Sequence, residues 1–228
     1  MKRYFCLLLF GFTTACTGKT ATDYLNEAHA AAMISDYTTA IHLFDKAINL
    51  DKKLKEAYIK KAYCYEKIKQ EEAAINTYKG LLLIDSNNTM ALFYAGVCNS
   101  RLHRFDTAIN YYNKALIAKG SIATTDTLQR KVTAAINSNN KTDNFNVPLY
   151  EIYYNRGTAY YAIKQYRMAF FDFETCIQLN YLTGDCNYRV GLCLMGSNQT
   201  TKACEAFRIA AQVYGSNEAR KQLLQSCR

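Results

Sequence analysis

Ala40-Ile41-His42-Leu43-Phe44, Ala74-Ile75-Asn76-Thr77-Tyr78 and Ala108-Ile109-Asn110-Tyr111-Tyr112 are three versions of one phrase. Alanine, isoleucine and an aromatic three places past the isoleucine return at steps of 34 residues. Twelve places before each alanine stands a small residue: Ala28, Ala62 and Gly96. Self-similarity at such a fixed period is the mark of a stacked-repeat architecture. Each unit reads as two amphipathic helices, A then B, folded back on one another. The small pair lets A and B approach closely. Large residues such as Ile41, Phe44 and Ile48 then fill the space toward the next unit. A single hairpin cannot bury its apolar face alone, so the units must stack.

Outward from these three, the phrase lapses after Ile122 and returns. Gly157, Ala169, Phe173 and Cys176 reproduce the spacing, as do Gly191, Ala203, Phe207 and Ala210. The step from Ala108 to Ala169 is 61 residues, one repeat plus an insertion of 27. Five units follow, at 21–54, 55–88, 89–122, 150–183 and 184–217, and residues 218–228 continue as a lone A-like helix that caps the open end. The insertion, 123–149, is polar. Within it Leu128, Val132 and Ile136 recur at i, i+4, i+8, which predicts a short helix near 125–138. Asn146 and Pro148 read as the N-cap and first turn of the following A helix. Composition agrees with helices joined by tight turns: one proline, no tryptophan and 19 tyrosines. A β-sandwich of this size needs more Gly and Pro.

The pattern of a small residue at position 8, alanine at 20, an aromatic at 24 and a small residue at 27 resembles the tetratricopeptide repeat. The resemblance implies an all-α, right-handed α-solenoid of five helix hairpins plus the capping helix. It also implies that the A helices line a concave groove into which positions 2, 5, 9, 12 and 13 point. Position 5 holds Leu25, Ile59, Phe93, Tyr154 and Tyr188, with Tyr63 at position 9 and Tyr161 at position 12. Lys67 and Arg101, both at position 13, could hold one acidic group at the rim. Members that clamp a C-terminal carboxylate carry Lys at 5 and Asn at 9, which this chain lacks. The expectation is an apolar and aromatic groove for a protein or peptide segment. Plain packing is the alternative meaning of the stripe.

Residues 1–15 read as a secretory leader rather than fold. Lys2 and Arg3 precede an apolar run, Tyr4 to Phe12, too short to span a bilayer as a helix, which takes about 20 residues. Thr13-Thr14-Ala15-Cys16 resembles the lipobox of bacterial lipoproteins, in which the cysteine is acylated, with Thr13 where leucine is usual. Ordinary cleavage after Ala15 is the alternative. Residues 16–22 would then form a lipid-anchored tether. Thr17 is not the aspartate that retains enteric lipoproteins at the inner membrane, so the outer membrane of the bacterial envelope is the expected location. Losing Lys2 and Arg3 with no acid takes the net charge from +9 to +7. The bases are scattered rather than blocked, and export argues against nucleic acid, so a solvated face with affinity for an anionic membrane is expected.

Nine cysteines invite a disulfide or metal reading. Register accounts for most of them. Cys64, Cys98, Cys193 and Cys227 all fall at position 10, and Cys176 at position 27, where other units place alanine. They read as small buried fillers. A bridge between Cys176 and Cys186 stays open. CxxC and HxxxH spacings are missing, and His29, His42 and His103 are scattered, so neither metal nor cofactor is expected. No GxSxG, HExxH, P-loop or paired-carboxylate motif occurs. The expected function is a non-catalytic interaction scaffold or adaptor. In architecture alone it looks like the assembly lipoproteins of the β-barrel insertion machine and the pilotins of type IV pili. An organiser or accessory subunit of cell-wall enzymes is the alternative, and an enzyme the remoter one.

Overall fold

The computed structural model describes residues 18–118 and 147–227. The leader (1–15), Cys16, the helix expected near 125–138 and the N-cap residue Asn146 lie outside the described residues. Among the described residues every regular element is a helix. Five hairpins follow one another: α1 (Ala21–Met33) with α2 (Tyr37–Leu50), α3 (Lys55–Lys67) with α4 (Glu71–Ile84), and α5 (Thr89–Arg101) with α6 (Phe105–Ala118). Then come α7 (Leu149–Ala162) with α8 (Tyr166–Gln178), α9 (Thr183–Gly196) with α10 (Thr200–Gln212), and the cap α11 (Asn217–Ser226). Each helix packs on its neighbours in the chain, and α6 packs directly on α7. The result is an all-α solenoid.

Local chemistry starts and stops these helices. Thr20 and Asp23 form a reciprocal capping box at α1, while Asp36, Asn88 and Ser216 each accept from a first-turn N–H at α2, α5 and α11. Thr20 therefore ends the tether, and Ala21 and Thr22, expected in it, are already helical. Pro148 occupies the N-cap position of α7 rather than its first turn. Every A-to-B turn carries one left-handed residue at position 15: Ser35, Lys69, His103, Lys164 and Asn198, with φ of 64, 60, 57, 61 and 58°. The next N–H reaches back to a carbonyl of the A helix, as from Asp36 to Ala31 and from Gln165 to Tyr160. This is the 6→1 closure that ends a helix abruptly, and it makes A and B antiparallel.

The small residue at position 8 is dictated by the aromatic at 24. A Cβ added to Gly96 would lie 2.6 Å from Cε1 of Tyr112, and one on Gly191 would run into the Phe207 ring. Ala28, Ala40, Phe44 and Ala47 are wholly buried in the first unit, and the equivalent set repeats down the stack. The core joining the third unit to the cap is continuous from Leu92 to Ala219 and crosses the insertion without a break.

The cysteine expectation holds in part. Cys64, Cys98 and Cys193 are free and buried, and burial pushes their thiols up to about 11, 12 and 12. Such thiols are poor nucleophiles. Cys176 and Cys186 are buried and unbridged, their thiols donating to the Tyr150 and Tyr181 carbonyls at 3.4 Å. Cys227 is not a filler: it forms a disulfide with Cys204 of α10. Position 10 of one unit meets position 21 of the unit before, as Cys98 shares a core with Ile75. At the cap that pairing has sulfur on both sides. Reduction is therefore expected to free α11 while the inner hairpins keep their stability, since each unit depends only on its neighbours. Amide exchange with and without reductant checks this. Protection should fall in 217–227 and stay unchanged in α3 to α6.

Candidate functional site

The A helices α1, α3, α5 and α7 touch one another in succession down the stack, as expected of helices lining a concave side. Position 5 does not form an open apolar stripe there. Leu25, Ile59 and Phe93 are only 8, 7 and 3 % exposed and belong to the core. An A helix is flanked by its own B helix and by two neighbouring units, so little of its circumference stays open. Phe93 lies edge-on to Tyr94 at 5.1 Å and tilted against Tyr112 at 5.9 Å. Tyr154 is half-buried. Its hydroxyl donates to Asp185 at 2.7 Å, and the Arg189 guanidinium lies 5.1 Å from its ring. Burial pushes the Tyr154 phenol up to about 12, and the hydrogen bond to Asp185 adds to the effect. Tyr188 packs on Phe207 at 5.8 Å and Tyr161 on Tyr166 at 5.5 Å.

What does stand open is charged and aromatic. Tyr63 is 46 % exposed, and the Lys67 ammonium sits 4.9 Å from its ring centre. The Tyr63 hydroxyl holds that ammonium above the ordinary lysine range. Arg101 is exposed and donates to Glu66 at 2.6 Å, so the two position-13 cations do not share one ligand site unaided. Glu66, at position 12, also accepts from the buried Tyr78 hydroxyl at 2.8 Å. It thus ties a core tyrosine to a surface arginine.

Sequence reasoning passed over Glu66 and Tyr94. The Tyr94 phenol is pushed up, first by burial and then by the Glu151 and Glu66 carboxylates, while Arg101 opposes them. Tyr63 acts on it too, so Tyr94 marks where units two, three and four converge. Four polar groups around one half-buried phenol were legible only as scattered positions 2, 9, 12 and 13. Position 6, where Tyr94 stands, was not among those expected to face inward.

A second concavity lies between the B helices α8 and α10 over α9. It encloses about 770 Å³ and is lined by Phe170, Phe171, Val190, Leu194 and Ile209, with Arg167, Glu174 and Lys202 at its margin. Among the described residues no group of three or more His, Cys, Asp or Glu side chains could hold a metal. No described helix is long and apolar enough to cross a membrane.

Comparison with known proteins agrees with this geometry. The tetratricopeptide repeat profile matches residues 55–88 and 150–181, the second and fourth hairpins. A search of curated proteins by sequence finds no match. Among solved structures, the chain is similar to MamA from Desulfovibrio magneticus RS-1 at 14 % identity, covering 88 % of this chain and 98 % of that one with a TM-score of 0.68. It is similar to YrrB, described as a TPR protein with an unusual peptide-binding site, at 16 % identity, 87 and 89 % coverage and a TM-score of 0.66. A tetratricopeptide repeat protein from Parabacteroides merdae ATCC 43184 matches at 14 % identity, 89 and 72 % coverage and a TM-score of 0.68.

Proposed function

We propose that the chain is a non-catalytic scaffold of the bacterial envelope, anchored by a lipid on Cys16, that holds a protein segment in its concave face. The fold of tetratricopeptide repeats supports a role in protein–protein interaction. The observation that carries the binding site is the open Tyr63–Lys67 pair beside the Arg101–Glu66 bridge, next to the phenol of Tyr94. An exposed aromatic flanked by cations suits an extended segment bearing acidic and aromatic side chains. The half-buried Tyr154, Tyr161 and Tyr188 extend that surface toward the cap, and Asp185 and Arg189 give it alternating charge.

Export is supported by the leader-like residues 1–15 and by the Cys204–Cys227 disulfide, since disulfides persist in oxidising compartments such as the periplasm. The outer membrane remains the favoured location, on the strength of Thr17. Cys16→Ser should release the protein to the soluble fraction or leave it unprocessed, and fatty-acid labelling of that variant would refute the anchor.

The groove is tested by Tyr63→Asp combined with Lys67→Glu, which alters exposed side chains only. Capture of partners from envelope extract is expected to fall at least tenfold, because an aromatic anchor commonly carries about 2 kcal/mol of binding. The melting curve should not move. The captured proteins also separate an assembly-machine adaptor from an organiser of cell-wall enzymes. Undiminished capture would move the site to the cleft between α8 and α10.

A further inference from the structure

The large apolar side chains left in solvent are not spread evenly. Leu50, Leu83, Ile84 and Ile117 are 58, 90, 38 and 63 % exposed, and all four stand in the last turn of a B helix. Leu50 and Ile84 are one repeat apart, as are Leu83 and Ile117. Since A and B are antiparallel, the last turns of α2, α4 and α6 and the first turns of α1, α3 and α5 share one edge of the stack. Leu182, Val213 and Tyr214, also exposed, continue that edge into the last two units.

The opposite edge, made of the A-to-B turns, differs. Past Met33 and Ile34 in the first unit it presents charges of both signs: Lys67, Lys69, Arg101, Arg104 and Lys164 with Asp36, Glu72 and Asp106, Arg101 and Arg104 being paired with Glu66 and Glu72. A row of exposed aliphatic side chains repeated along one edge, against mixed charges along the other, is an asymmetry that packing does not explain, because the row is not buried.

The chain itself indicates what covers the aliphatic edge. Thr20 caps α1 on that edge, and Gly18, Lys19 and Thr20 are exposed there. Cys16 is four residues further back, a reach of roughly 14 Å when extended. A lipid on Cys16 would hold this edge at the bilayer surface and leave the far edge a helix length away, about 20 Å. Lys46, Lys52, Lys53, Lys79 and Lys114 are exposed around the row. Of the carboxylates on that edge, Asp85 pairs with Lys55, Asp23 accepts from Thr20, Asp51 accepts from the Lys53 backbone N–H and Glu56 lies 3.5 Å from His29.

We propose that this edge of the first three units rests on the lipid bilayer, with Leu50, Leu83, Ile84 and Ile117 in the boundary between headgroups and acyl chains. The surrounding lysines contact anionic headgroups. The proposal rests on the reading of Cys16 as the anchor, and its test separates the two.

The chain has no tryptophan, so a single introduced one reports its own surroundings. The full chain carrying Leu83→Trp, or Ile34→Trp on the opposite edge, is produced in a Gram-negative host with labelled palmitate. Each is reconstituted into vesicles of phosphatidylethanolamine with a minority of phosphatidylglycerol and acyl-brominated lipid. Emission from Leu83→Trp should shift to the blue and fall by about half or more, as for a side chain 5–10 Å into the interface, while Ile34→Trp stays unchanged.

Quenching of neither, or of both alike, overturns the proposal. So does shielding of Leu83→Trp from acrylamide without lipid, which would assign the edge to a second copy or to residues 119–146. Label on Cys16 with an unquenched Leu83→Trp leaves the anchor standing and removes the docking edge. Quenching without label does the reverse.

Discussion

Asp172→Ala is expected to lower stability by about 3–5 kcal/mol, because it strands a buried guanidinium. Arg156 donates to both Asp172 oxygens, at 2.9 and 2.6 Å, and to Asn113 at 2.6 Å. The paired side chains are 8 and 4 % exposed. The rings of Tyr153 and Tyr160 lie 5.4 and 5.6 Å from the guanidinium. Burial pushes the Asp172 carboxyl up against the opposing pull of Arg156, so the pair is tolerated rather than favoured in place of apolar side chains.

Its position explains its presence. Asn113 is on α6, Arg156 on α7 and Asp172 on α8, so the cluster bridges the one place where the 34-residue register is interrupted. A polar clip with one geometry fixes how the fourth unit docks on the third. Because a solenoid's stability is a sum over units and their interfaces, Asp172→Ala should also split one thermal transition into two. The double variant Arg156→Met with Asp172→Leu should recover most of the lost stability, having no charge to strand. Urea titration and calorimetry read both effects. A loss near zero for Asp172→Ala would show that the guanidinium finds water instead.

The repeat was legible because its period is literal. Units read as beginning at Ala21, Lys55 and Thr89 have helices that begin there, and the A helices of the fourth and fifth units, α7 and α9, begin one residue earlier than read. Spacing alone requires a small residue wherever an aromatic ring crosses, and the Gly96–Tyr112 approach is the physical form of that rule. The groove was less legible. Helical periodicity says which residues share a face, not how wide the neighbouring units leave that face open. Leu25, Ile59 and Phe93 share a face with Tyr63 yet are closed over by adjoining helices. Cys204 was missed for a related reason. Position 21 holds Ile41, Ile75, Ile109 and Phe170 in the other units, so a cysteine there, opposite Cys227 at position 10, was the available signal for the bridge.

Phe93→Asp is expected to unfold the middle of the stack, at a cost above about 4 kcal/mol, since it drives a carboxylate into a packed core without a partner. The Phe93 ring contacts Tyr94 and Tyr112 and belongs to the core that runs on into the last two units. Removing it takes away a large apolar surface, and adding the charge removes the alternative of collapse around a cavity. Circular dichroism should show a lower and broader melt, with helix lost first from α5 and α6. Tyr63→Asp, one turn further along the neighbouring A helix and open to solvent, should melt like the parent chain. Both substitutions are expected to weaken partner capture, the first by destroying the surface and the second by changing its chemistry, and the melting curves separate the two causes. If Phe93→Asp melts like the parent, its side chain faces the groove after all. The aromatic anchor would then be Phe93 rather than Tyr63.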